Sequence, residues 1–502
     1  MTSDLSDRIK CRRLLGKVVT AQEAADLVRD GMTIGASGFT PAGYPKAVPL
    51  ALAERVKRTG EKLKVNLLTG ASVGPELDGS LVTAGVVRKR MPYQTTNAMR
   101  DAINKGDVLY LDEHLSHVAQ RCRYGFYGPL DMAIIEAVKI TEDGHIIPST
   151  SVGNSPTFVK QAKQVIVEIN TSQPLDLAGM HDIYIPDDPP ARKPIPITSP
   201  EQRIGTEYIP CGPDKIAAIV VTDIKDNVRP LAPIDDVARA IAGHLVEFFE
   251  HEVEIGRLPP RLLPLQSGVG SVANAVLAGL LDSKFTGMTF YSEVIQDSAL
   301  DLLDAGKFTI ASGTSLTPSP ERLPLMYSKM NQYRKQIILR PQEISNNPEV
   351  VRRLGSIAMN TAIECDIYGN VNSTSILGTR MMNGIGGSGD FSRNAYLTIF
   401  STESVAKNGA ISSIVPMCSH VDHTEHEVHV VVTEQGLADL RGLSPKEKAR
   451  VIIDNCAHPE YRALLREYLD AAVKAGGHTP HILKEALSWH VKFIESGDMR
   501  KR

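Results

Sequence analysis

The chain has 502 residues, too many for one ordinary hydrophobic core, so two or three domains are expected. Its 42% hydrophobic and 23% charged content is that of a soluble globular protein. A formal net charge of −3 excludes a general basic surface for nucleic acid, and no run reaches the roughly 20 apolar residues of a membrane helix.

Six cysteines (Cys11, Cys122, Cys211, Cys365, Cys418, Cys456) form no C-x-x-C pair. That pattern predicts reduced thiols in a cytoplasm. Residues 1–13 are polar, without the apolar core of a secretory signal.

Thr20-Ala-Gln-Glu23 is a capping box, and residues 21–29 follow at helical spacing. Residues 32–36 read as a strand, the loop Ser37-Gly-Phe follows, and residues 48–56 read as a helix. Residues 63–68 read as a strand, followed by Thr69-Gly-Ala-Ser72. Strand, glycine loop and helix keep alternating, which predicts an α/β fold with mainly parallel sheets. Composition breaks at 185–214, which holds eight of the 31 prolines and reads as a linker or an ordered strap. A strand at 216–222 opens a second α/β run. The division expected is therefore 1–214 and 215–502, with helices over 444–502.

Ile135-Glu-Ala, Gly144 and Ser149-Thr150 are echoed by Ile363-Glu-Cys, Gly369 and Ser373-Thr374. The order and spacing read as a duplication: two related α/β domains with a cleft between them, where ligands are expected. Two unrelated hairpins are the plainer alternative.

Gly268-Val-Gly270-Ser-Val-Ala273 lies between a predicted strand (262–266) and a predicted helix (272–281). Its N–H groups suit the pyrophosphate of a nicotinamide, a flavin or coenzyme A. A tight turn that binds nothing fits the letters equally well. Glu293 follows a predicted strand (285–291) and precedes a predicted helix (294–305), the usual place for a reactive group in an open α/β sheet. As nucleophile, base or ribose ligand, its role stays open at this point. Asn347 and Pro348 read as the cap and first residue of a helix, which leaves Asn346 free for other work.

Asn383-Gly-Ile-Gly-Gly-Ser-Gly389 spells a dinucleotide motif, but a strand (395–400) is expected after it. It therefore reads as a bare loop that can aim N–H groups at an oxygen. Residues 419–429 hold four histidines and three acids, yet their spacing would throw the rings to opposite faces of a strand. No metal is assigned there. Glu434 ends the predicted strand 428–432 and reads first as a helix cap, second as a cleft carboxylate.

Several long strings carry a resemblance. They include Gln266-Ser-Gly-Val-Gly270, Tyr291-Ser-Glu-Val-Ile-Gln-Asp297, Met382-Asn-Gly-Ile-Gly-Gly-Ser-Gly-Asp-Phe391, His420-Val-Asp-His423 and Thr433-Glu-Gln-Gly-Leu-Ala-Asp-Leu-Arg-Gly442. With Ser37-Gly-Phe and Thr69-Gly-Ala-Ser they cover nearly the whole chain. In them the sequence resembles the acetyl-CoA hydrolase/transferase family, the class I CoA-transferases, and within it the succinyl-CoA:acetate CoA-transferases.

The resemblance implies that Glu293 is a nucleophile that becomes a glutamyl-CoA thioester. It implies CoA contacts at Gly268, Val269, Gly270, Ser271, Val272, Asn383, Gly387 and Lys407, and at the backbone of Ile363. It further implies an oxyanion hole at Val269 and Gly387, support of the glutamyl carbonyl by Asn346, and a cleft carboxylate at Glu434. His426 and His429 depart from the family pattern. No permanently bound cofactor is implied. The expected ligands are acyl-CoA, acetate and succinate, with no nucleic acid or membrane partner, and a homodimer. An acyl-CoA hydrolase and a propionyl-CoA:succinate CoA-transferase are alternatives on the same fold. Outside it stand a dinucleotide oxidoreductase and a non-catalytic acyl-CoA sensor.

Overall fold

The structure is a computed structural model that describes residues 2–228, 230–231 and 233–501. Met1 and Arg502, the outermost residues of the predicted segments, lie outside it. The chain forms two compact units. One takes residues up to Pro230 together with Thr289–Leu303 and Thr309–Leu354. The other takes Leu231–Met288, Asp304–Phe308 and the chain from Gly355 onward.

The first unit is built on eight strands: β1 Thr33–Ala36, β2 Val65–Leu68, β3 Val87–Met91, β4 Leu109–Tyr110, β5 Met132–Ile140, β6 Ile146–Pro148, β7 Gln164–Asn170 and β8 Ile216–Thr222. Their order is β4-β3-β2-β1-β5-β7-β8, and all these neighbours are parallel. Only β6 runs antiparallel, beside β5. Parallel strands need both faces covered, and β5 and β7 are buried almost throughout. The helix Ala47–Thr59 supplies one cover, with Val48, Leu52 and Val56 packed in the same cluster as Ile34, Val65 and Leu67.

The capping box predicted at Thr20 is present, although its helix stops at Ala25. The proline-rich segment is an ordered strap. Ile195, Ile197 and Ile209 are fully buried, and Arg353 Nη1 donates to the carbonyls of Ile195 (2.6 Å) and Ile197 (3.0 Å).

In the second unit, Leu265–Ser267, Ile357–Thr361, Leu397–Ser401 and Val430–Thr433 form a parallel sheet, and Gly436–Asp439 returns antiparallel. The tail helices Pro445–Cys456, Pro459–Ala475 and Ser488–Ser496 pack their buried faces, Ile452, Leu465 and Trp489 among them, in one cluster with Val431 and Phe400. The last helix, expected from sequence over 481–494, starts at Ser488.

Both echoed segments form hairpins with a buried glutamate at the matching place. Glu136 accepts from Ser149 Oγ (2.6 Å) and pairs with Lys46 (2.5 Å). Glu364 accepts from Asn372 Nδ2 (3.0 Å) and faces His490 Nε2 (2.8 Å).

Candidate active site

Glu293 follows the strand Met288–Tyr291. The predicted helix does not start at once. Val294 and Ile295 instead pair as a short parallel strand with Ser315 and Leu316, and the helix runs Asp297–Asp304. The β-branched pair favours extended backbone there. The sequence places Glu293 in the 215–502 domain. In the structure its segment packs in the first unit. The main-chain carbonyl of Glu293 accepts the N–H groups of Thr314 (2.8 Å) and Ser315 (3.1 Å). Ser315 Oγ donates in turn to the carbonyl of Phe39 (2.8 Å), in the loop after β1.

The Glu293 residue is half-buried, and its carboxyl group sits among protein. Loss of solvent pushes its pKa up to about 7, and one hydrogen bond pulls the other way. That bond comes from Asn346 Nδ2, 2.6 Å from Oε1. Asn347 is the cap expected from sequence, its Oδ1 accepting from Glu349 N–H at 3.0 Å in front of the helix Pro348–Leu354. Capping by the second asparagine therefore leaves the first to face the carboxylate. Tyr291, given no role of its own in the sequence reading, ties the two sides together. Its buried hydroxyl donates to the carbonyl of Ile344 at 2.8 Å.

The loops after β1 and β2 hold strained positions: Gly38 at φ 114°, Thr40 at 55°, Ser72 at 69° and Val73 at 71°. A Cβ on Gly70 would lie 2.1 Å from the carbonyl oxygen of Gly38, so the two loops touch through bare backbone. Buried Arg90 fixes the second loop by donating to Asp78 Oδ1 (2.7 Å) and to the carbonyl of Ser72 (3.1 Å). Phe39, Ala71 and Leu115 make a small apolar cluster on which Tyr93 and Val294 pack. The residue next to Glu293 is thus seated on the tips of these loops.

The remaining predicted residues lie in the second unit. Gly268–Val272 leaves the carboxyl end of Leu265–Ser267, with Gly268 N–H donating to Met359 O at 3.1 Å. Gly270, at φ 129°, precedes the helix Ser271–Asp282. Among the described residues the N–H groups of Val269 and Gly270 have no protein acceptor, and Val269 is 48% exposed. Ile363 leaves the same end of the neighbouring strand, its N–H held by Asn372 O (2.8 Å).

Glu434 also lies along this edge, after Val430–Thr433. A strand follows it, not a helix, because Gly436 at φ 151° turns the chain back. The helix-cap reading is therefore wrong. The carboxylate accepts Ser404 N–H (2.8 Å), the Ser404 hydroxyl and Gln435 Nε2 (3.0 Å). Burial alone would raise its pKa, but these hydrogen bonds outweigh it and hold the group below the usual carboxylate range. Ser404 gave no signal in the sequence. Lys407 is exposed at a hairpin tip between Val405–Ala406 and Ile411–Ser412, at φ 53°.

Asn383 and Gly387 flank a loop with Gly384 at φ 133° and Gly386 at φ 61°. A short helix, Ser388–Ser392, comes before the predicted strand, which runs Leu397–Ser401. The loop is braced by the histidine-rich run. Ser388 Oγ donates to Ile385 O (2.7 Å) and lies 3.0 Å from buried His423 Nε2. The other histidines diverge. His420 faces Asp422 (3.2 Å), His426 is exposed, and His429 Nδ1 accepts Thr398 N–H (3.1 Å). Among the described residues no group of three or more His, Cys, Asp or Glu is arranged to hold a metal.

The chain is similar to known proteins along most of its length. Residues 3–221 match the acetyl-CoA hydrolase/transferase N-terminal domain and residues 324–469 the C-terminal domain. The chain is 58% identical to a succinyl-CoA:acetate CoA-transferase from Clostridium kluyveri, over 98% of this chain and 92% of that one. It is 46% identical to an acetyl-CoA hydrolase from Saccharomyces cerevisiae, over 99% and 97%. The crystal structure of RipA from Yersinia pestis shares the fold, with a TM-score of 0.72 at 22% identity over 92% and 98% of the two chains. The chain belongs to the acetyl-CoA hydrolase/transferase family.

Proposed function

We propose that the protein moves coenzyme A from succinyl-CoA or a similar acyl-CoA to acetate, through a thioester on Glu293. The observation that carries this is a carboxylate with its pKa pushed up to about 7 and one asparagine N–H on one of its oxygens. Such a carboxylate is more basic than an ordinary glutamate, hence a better nucleophile, and is still ionised in about half the molecules at neutral pH.

A carboxylate oxygen of Glu293 attacks the acyl carbonyl carbon. A C–O bond forms, the C–S bond breaks, and CoA leaves as thiolate. The product is a mixed anhydride. The thiolate then attacks the Glu293 carbonyl carbon, a C–S bond forms, and the first acid departs as its carboxylate. The incoming acid reverses both steps. No net proton is required, and ping-pong kinetics are expected.

Each tetrahedral intermediate carries an oxyanion. Asn346 Nδ2 already donates to the Glu293 carboxylate and suits the intermediate formed on that side chain. The N–H groups of Val269 and Gly387 suit the one formed on the acyl group, and each such donor is worth about 3 kcal/mol. Gly268–Val272, Asn383, Ile363 and Lys407 are assigned to the nucleotide and pantetheine, and Glu434, its carboxylate held by Ser404, is assigned as a further carboxylate of the site. Coenzyme A is a substrate here, and a cytoplasmic homodimer is the assembly we expect.

Hydrolysis is the second reading, because the family includes acetyl-CoA hydrolases. Water in place of the acceptor acid gives that outcome from the same intermediate. Two measurements test the proposal. Mass spectrometry after mixing protein with acyl-CoA alone should find CoA on the peptide containing Glu293. Label exchange between acids at the normal rate in Glu293→Ala would overturn it. Thiol release indifferent to acetate would favour the hydrolase.

A further inference from the structure

The first unit contains a cavity of about 450 Å³ that holds none of the residues assigned above. Its size is that of a small-molecule site. Leu316, Pro318, Leu323 and Pro324 make its walls apolar. Its polar side is unusual. Asp226 is there, but its carboxylate is already spent. It pairs with buried Lys46 (2.8 Å) and accepts from Thr150 Oγ1 (2.9 Å) and Gln173 Nε2 (2.8 Å). Lys225 and Tyr327 also line the cavity, and neither has a hydrogen-bond or ion-pair partner among the described residues. An unspent cation and an unspent hydroxyl thus stand beside an apolar chamber whose own acid is neutralised.

We propose that this cavity binds a monocarboxylic acid with an apolar body several carbons long, its carboxylate taken by Lys225 and Tyr327. An amine is disfavoured by Lys225. A dianionic phosphate would find a single cation, Lys225, among the described lining residues. Acetate has no body with which to fill the walls. The site is separate from Glu293 but joined to it. Leu316 pairs with Ile295, and Thr317 N–H donates to Ile295 O at 2.9 Å, two residues beyond Glu293. The proposal stands whether or not the CoA-transfer reading does, because it rests on the cavity alone.

Isothermal titration of Glu293→Ala protein with straight-chain acids from butanoate to octanoate tests it, with octylamine as control. Affinity should rise about three- to fourfold per added methylene, as expected for burial of a CH₂. Lys225→Ala, at an exposed position, should weaken octanoate about tenfold, and Leu323→Trp, which fills the chamber, should abolish binding. Octylamine should not bind. Affinity independent of chain length, octylamine binding as well as octanoate, or Lys225→Ala and Leu323→Trp binding octanoate like the parent would each overturn the proposal.

Discussion

Tyr291 donates its hydroxyl to the carbonyl oxygen of Ile344 at 2.8 Å, two residues before Glu293 on one side and two before Asn346 on the other. This one bond ties the strand that ends two residues before the carboxylate to the helical turn that ends at the asparagine. It therefore sets the 2.6 Å approach of Asn346 to Glu293 without touching either side chain. Tyr291→Phe keeps the ring and removes the tie. Stability should fall by about 1 kcal/mol, the net worth of a buried neutral hydrogen bond. The turnover number should drop about tenfold while KM for acyl-CoA stays near the parent value. An equal rise in KM would mean that the tie organises binding instead.

Burial of Glu293 makes stability depend on pH with a definite sign. Its pKa is about 7 in the folded chain and near 4.5 when unfolded. Between those values the folded state binds the proton more tightly, so this group costs stability as pH rises from 4.5 through 7. Below 4.5 both states are protonated and the cost vanishes. Glu293→Gln should therefore unfold at a higher temperature than the parent at pH 8 and at nearly the same temperature at pH 4.5. The gap should be on the order of 2–3 kcal/mol. In the parent, the rate of thioester formation should climb with unit slope below pH 7 and level off above it, because only the ionised carboxylate attacks. Rapid-quench measurement of the CoA adduct from pH 5 to pH 9 checks it.

These residues show what a sequence carries and what it does not. The cap at Asn347 was legible because a helix start needs an acceptor there, and the same logic released Asn346. Strand ends at Gly268 and Glu434 were legible from alternation and glycine. Val294 and Ile295 were misread as helix because their spacing suits one. Their strand exists only because Ser315 and Leu316, some twenty residues on, lie beside them. Ser404 and Tyr291 are ordinary letters whose meaning comes from a partner 30 and 53 residues away. The segment around Glu293 joins the first unit through loops after β1 and β2, and nothing local announces that.

Asn346 should matter as a neutral donor as well as through its shape. Asn346→Ala removes the donor on Glu293 and should lower the turnover number about 100-fold, the usual loss of one oxyanion donor. Asn346→Asp keeps the shape but sets a second carboxylate against the first. Like charges raise the pKa of one partner, so its pH–rate profile should move well above pH 7, whereas Asn346→Ala, which only removes the hydrogen bond that lowers the Glu293 pKa, should move it up by less. The two variants together separate donation from electrostatics.

Gly270 bears on binding. Its φ of 129° lies where side chains are rarely tolerated, yet a Cβ there would meet nothing within 4 Å. Any cost of Gly270→Ala is therefore backbone strain, about 1–3 kcal/mol, and not collision. The loop relieves strain most easily by rotating this peptide, and rotation re-aims the N–H groups of Val269 and Gly270. Those two donors have no protein acceptor and are the ones assigned to ligand. CoA affinity by titration calorimetry should fall about tenfold, with unfolding temperature little changed because the strain has been released. If the loop holds its shape, affinity is kept and the unfolding temperature falls by a few degrees instead. A variant unchanged in both would show that the loop carries neither strain nor ligand.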